Sequence, residues 1–144
     1  MIKMIHSYWA YVVLIVLILA VFNAVKGFTS KKGFGANDLR ISLFALIASH
    51  IQLIIGFIAY YMSSFYETMR GVGMGEVMKN SELRKLLVEH PLMMIIAVVL
   101  ITIGFSKHKK KATDSAKFKT ISIFYTIALL IVLAMIPWNL WFTN

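Results

Sequence analysis

Cysteine is absent from this 144-residue chain, proline occurs only twice, and acidic residues number six. The first absence excludes disulfides, thiolate-held metals and haem attached covalently through a CxxCH motif. Any cofactor must then be held by histidine, methionine, tyrosine or carboxylate. The scarcity of carboxylates leaves no pair of them inside an apolar stretch, and no serine, aspartate and histidine set replaces them, so hydrolytic chemistry is not indicated. What the chain has in abundance is apolar surface. It is 60% hydrophobic with a mean hydropathy of +0.79, too apolar for a soluble domain of this size. Its net charge of +9 falls between hydrophobic runs, the pattern of topogenic charge and not of a nucleic-acid footprint.

These features predict an all-α integral membrane protein, a four-helix bundle of up-down topology forming one transmembrane domain. The spans are residues 4–25, 39–65, 82–106 and 118–138. The first is uncharged from Met4 to Val25 and passes into Lys26, Lys31 and Lys32, not into a small-residue cleavage site, so it reads as a retained helix and not as a signal peptide. In the second, Ser42, Ser49, Gly56 and Ser63 recur every seven residues with Ala45, Gln52 and Ala59 beside them, a stripe suited to close helix packing. The fourth ends at Pro137 and Trp138 with Trp141 and Phe142 behind them, matching the aromatic Tyr8, Trp9 and Tyr11 at the start of the first as an interfacial belt.

The third span carries the most information. Met93 to Phe105 is uncharged but too short to cross a bilayer core of about 30 Å at 1.5 Å per residue. The helix must therefore extend back through Pro91 to a cap at Asn80 or Ser81. Pro91 then lies inside a helix, where its ring removes an amide hydrogen and frees the carbonyl of Leu87, a defect that something inside the protein has to satisfy. His90, Met94, Ala97, Ile101, Gly104 and His108 share one face, with small residues below the histidine that leave room for a backbone or a flat ligand.

The connections are read as follows. GFTSKKGFGAND is a glycine-rich turn; no strand precedes it, which excludes a dinucleotide-binding reading. Residues 66–80 are read as an outer loop in which Met74 and Met78 are filler, not a soft-metal site. Lys26, Lys31, Lys32 and Arg40 outweigh Asp38 in loop one, and six lysines outweigh Asp114 in loop three, whereas loop two balances four basic against four acidic residues. Loops one and three are therefore expected in the cytoplasm, with both termini outside. His108, set among Lys107, Lys109, Lys110 and Lys111, is expected to be solvated or to face headgroups.

Three histidines remain. Counted from the basic boundary at about 1.5 Å per residue, His6 lies about 30 Å up, His90 about 25 Å and His50 about 15 Å. His6 and His90 can therefore meet. His50 sits near mid-span, off the small-residue stripe, where an ionisable group is a functional candidate by default and otherwise a neutral hydrogen-bonding residue.

HSYWAYVVL near the start, SHIQLIIGFIAYY in the second span, MKNSELRKLLVEHPLMMIIAVVLITIG in the third and the closing IPW resemble the small four-helix bacterial membrane proteins labelled cytochrome b, found in Bacteroidetes. The resemblance covers nearly the whole chain and implies a membrane b-type cytochrome-like protein of the bacterial inner membrane. Such a protein holds non-covalent haem b through histidines and passes electrons between a quinol and a respiratory partner protein. Under that reading His6 and His90 are the axial ligands of the haem iron, Ser7, Tyr8 or the Leu87 carbonyl bonds their second nitrogens, and His50 lines the site or replaces one ligand. Two other classes stand beside it: a histidine-lined metal-ion or proton pathway, and a cofactor-free accessory subunit. The reading leaves room for a homo-oligomer in the bilayer and involves no nucleic acid.

Overall fold

A computed structural model of the chain describes residues 1–138, so the predicted aromatic pair Trp141 and Phe142 lies outside the described residues. Four helices are long and apolar enough to cross a membrane: α1 (Ile2–Thr29), α2 (Ala36–Tyr61), α5 (Ser81–Lys109) and α6 (Asp114–Met135). Two short helices, α3 (Ser64–Val72) and α4 (Met74–Lys79), bridge the second and third of these. The chain is a multi-pass helical membrane protein.

Helix starts follow local chemistry. The Asp38 carboxylate takes the Gly35 amide at 2.8 Å to open α2. Asn80 Oδ1 accepts the amides of Glu82 and Leu83 at 3.0 and 3.2 Å to open α5, and Thr113 Oγ1 accepts that of Ala116 at 3.1 Å to open α6. Each satisfies amides that the first helical turn leaves without partners. The predicted extension of the third span back to Asn80 is thus observed. Loop two differs from expectation: it is largely helical. The Ser63 hydroxyl caps α3 by accepting the Tyr66 amide at 3.1 Å, and Gly73, at φ +89°, supplies the left-handed turn that separates α3 from α4. The glycine count of residues 66–80 suggested a coil, yet of those glycines only Gly73 has a positive φ, and Gly71 and Gly75 lie within helices.

The long helices form a ring in which α1 packs on α2 and α6, and α5 packs on the same two. Every adjacent pair is antiparallel. The C-terminal Asn23 of α1 meets the N-terminal Asp38 of α2, Tyr60 at the end of α2 meets Leu87 at the start of α5, and His90 near the start of α5 meets Met135 at the end of α6. This is an up-and-down bundle with one basic end and one end covered by α3 and α4.

Small residues from three helices face large ones from the fourth. Ala20 and Ala24 of α1, Ala45 of α2 and Ala97 of α5 pack around Phe118, Ile121 and Tyr125 of α6. At Gly27 any side chain would strike the Phe118 ring, and at Gly104 a Cβ would stand 2.5 Å from Phe124 Cβ, so both glycines mark backbone contacts. The Tyr125 hydroxyl crosses the centre to donate to the Ser42 carbonyl at 2.8 Å. Outward faces carry Phe22, Ile54 and Leu130, each more than half exposed, as a lipid-facing surface requires.

Candidate functional site

Both prolines lie at the α3–α4 end, and each frees a carbonyl that a side chain then takes. Ahead of Pro91 the helix widens into a π turn, Lys85–Glu89, closed by the His90 amide on the Lys85 carbonyl. The Leu87 carbonyl, which Pro91 cannot serve, accepts the Tyr60 hydroxyl at 2.8 Å. Pro137 leaves the Leu133 carbonyl to the Trp138 indole N–H at 2.9 Å. The Met135 carbonyl, at the end of α6, accepts Nδ1–H of His90 at 2.9 Å. The carbonyl freed by Pro91 was one of the expected partners for a histidine; Tyr60 takes it instead, and His90 is oriented from α6. Sequence spacing could not show this, because it depends on which helix end lies against His90.

His6 approaches from α1. Its ring centre lies 6.4 Å from that of His90, with the planes at 89°, so the structure brings together the two histidines that were matched by height. Two contacts to α2 hold this part of α1. Gln52 Nε2 donates to the His6 carbonyl at 2.8 Å, and the Trp9 indole donates to the Ala48 carbonyl at 2.9 Å. Trp9 is thus a tie between helices as well as an aromatic near the helix start. The His6 ring rests on Gly56, where a Cβ would come within 3.2 Å of Cε1. Gln52 and Gly56 were read only as part of a packing stripe. Their four-residue spacing puts both on the face of α2 that meets His6.

The other two histidines stand apart. His50 is exposed on the bundle surface, with Nδ1–H donated to the Leu46 carbonyl at 2.8 Å and Nε2 3.4 Å from the Thr102 hydroxyl. It sits six residues, about 9 Å of helix rise, below Gly56. Both of its nitrogens are engaged along the α2–α5 seam. His108 corrects the expectation of a solvated residue: it is 2% exposed, bonds the Phe105 carbonyl through Nδ1, and packs on the rings of Phe34 and Phe105 at 5.3 and 4.7 Å. The lysines around it in sequence point outward, while the loop after α1 folds Phe34 beneath it.

The basic end also holds a carboxylate that charge counting had treated as a loop residue. Asp38 is buried and accepts Gly35 N–H, Asn23 Nδ2 and Lys32 Nζ, the last two at 2.9 Å each. Three donors satisfy it, and it serves the α1–α2 turn.

Among the described residues no group of three or more histidines, cysteines or carboxylates gathers for a metal ion. A bare zinc or copper site needs three or four protein ligands, whereas haem iron needs only axial ones. Two imidazoles on opposite sides of one metal, at bonds of about 2 Å, hold their ring centres roughly 6 Å apart, close to the 6.4 Å found here. His90 has Nδ1 anchored and Nε2 left to bind, the arrangement that fixes tautomer and direction in ligating histidines. Gly56 places no side chain beside the His6 ring. A groove of about 460 Å³, lined by residues that include Lys85, Glu89, His90, Met135 and Trp138, opens beside His90 between α5 and the end of α6, and His6 is not part of its lining. His6 and His90 are the two histidines that the fold brings close, and one ring nitrogen of His90 is anchored by a backbone carbonyl.

Compared with known proteins, the chain matches no family model, no curated protein and no solved structure.

Proposed function

We propose that the protein is a membrane b-type cytochrome that holds haem b between His6 and His90. The observation that carries this reading is the ring pair itself: two imidazoles from opposite helices of a bundle, 6.4 Å apart with their planes at 89°, one of them oriented by a backbone carbonyl. Bound there, haem would supply one-electron exchange. The chain supplies the rest. Met135 fixes the His90 ring, and α2 backs His6 through Gln52 and Gly56.

The topology that follows from loop charge puts the basic end in the cytoplasm of a bacterial inner membrane and the histidine pair near the outer face, with both termini periplasmic. At that depth the groove beside His90 is reachable from the lipid headgroup region, which suits a lipophilic quinol as electron donor and a respiratory protein outside as acceptor. The test is the reduced-minus-oxidised spectrum of purified protein and of four single alanine variants. His6→Ala and His90→Ala should abolish or shift the α band and the Soret band, while His50→Ala and His108→Ala keep both. A colourless wild-type protein from haem-replete cells would sink the reading.

A further inference from the structure

Two buried polar atoms at the histidine pair have no partner, the His6 Nδ1 and the Gln52 Oε1. One can donate and the other can only accept. They lie in one place. The Gln52 amide nitrogen is already committed to the His6 carbonyl at 2.8 Å, and the His6 ring faces α2 with its Cε1–Nδ1 side, these atoms 3.2 and 3.7 Å from where a Gly56 Cβ would stand. A buried donor and a buried acceptor left open each carry a desolvation penalty, and pairing them removes both.

We infer that Gln52 is the positioning residue for His6, its Oε1 accepting Nδ1–H directly or through one trapped water. This deepens the cytochrome reading and rests on it for its purpose. The amide nitrogen holds the backbone of His6, and the amide oxygen selects the ring tautomer. With the proton on Nδ1, the lone pair of His6 is on Nε2. His90 reaches the same state by a different route, through Met135. The two ligands would then be matched in tautomer, one oriented by a main-chain carbonyl and one by an amide side chain. Partners of this kind are typically worth about 10- to 100-fold in metal affinity.

Two readouts separate this inference from the reading it serves. The first is histidine ¹⁵N NMR on labelled protein in nanodiscs, in the haem-free form, with His6 assigned by its loss in His6→Ala. Wild-type His6 should carry its proton on Nδ1, and Gln52→Met, which keeps the length of the side chain and removes both polar atoms, should shift it toward Nε2–H. The second is haem itself: Gln52→Met should weaken retention by about tenfold or more, and Gln52→Glu should restore retention with a midpoint potential below that of wild type, because a carboxylate makes the imidazole a stronger donor. A wild-type His6 protonated on Nε2 overturns the inference, as does a Gln52→Met protein with unchanged tautomer and potential. If Gln52→Met does not fold, the wild-type tautomer decides alone. A wild-type protein that binds no haem removes the cytochrome reading and leaves the tautomer result standing.

Discussion

The hydroxyl of Tyr60 donates to the carbonyl of Leu87 at 2.8 Å, four residues before Pro91, and so repairs from α2 the ladder that the proline breaks in α5. Tyr60→Phe should therefore destabilise the folded protein by about 1–3 kcal/mol, the cost of a buried carbonyl without a partner. Pro91→Ala restores an amide to that carbonyl, so in its background the Tyr60→Phe loss should shrink to well under 1 kcal/mol. A double-mutant cycle on thermal unfolding in detergent measures this; equal losses in the two backgrounds would mean that the hydroxyl serves another partner.

His108 is enclosed despite its lysine neighbours. His108→Ala leaves a cavity between Phe34 and Phe105, and about 2–4 kcal/mol should be lost while the spectrum of the histidine pair, at the opposite end, stays as in wild type. A melting temperature unchanged from wild type would place the ring in solvent after all.

Gly104 holds α5 against the base of Phe124, where a Cβ would stand 2.5 Å from another Cβ. The base of a side chain cannot swing aside. Gly104→Ala should cost about 1–3 kcal/mol by forcing the helices apart, and Phe124→Ala in the same protein should recover part of it. A neutral Gly104→Ala would show that the α5–α6 contact is looser than it is drawn.

Reporter fusions test the orientation. Those at residues 32 and 112 should report cytoplasm and those at residue 75 and the C-terminus periplasm, as the charge asymmetry requires. The inverse pattern would put the histidine pair on the inner side of the membrane.

Much of the bundle was legible in the sequence because membrane spans are governed by length and polarity. The helix continuing through Pro91, its cap at Asn80, the buried face of Ala97, Ile101 and Gly104, and the equal height of His6 and His90 all follow from rise per residue and face periodicity. The misreadings share a cause. His108 was judged by its neighbours in sequence, which are solvated, and not by Phe34, which only folding brings to it. Residues 66–80 were judged by glycine content, although a single serine cap sufficed to start a helix there. Gln52, Tyr60 and the Met135 carbonyl act across helix boundaries, and a one-chain pattern records which face a residue occupies but not what stands opposite.

The bond from His90 to the Met135 carbonyl also has a mechanical side. Met135 is the last residue of α6, so its carbonyl has no amide of its own helix to accept and takes a ring on α5 instead. A shift at the tip of α6 therefore bears directly on an imidazole of α5. The orientation of His90 is thereby tied to the position of the α6 tip, just ahead of Pro137 and Trp138.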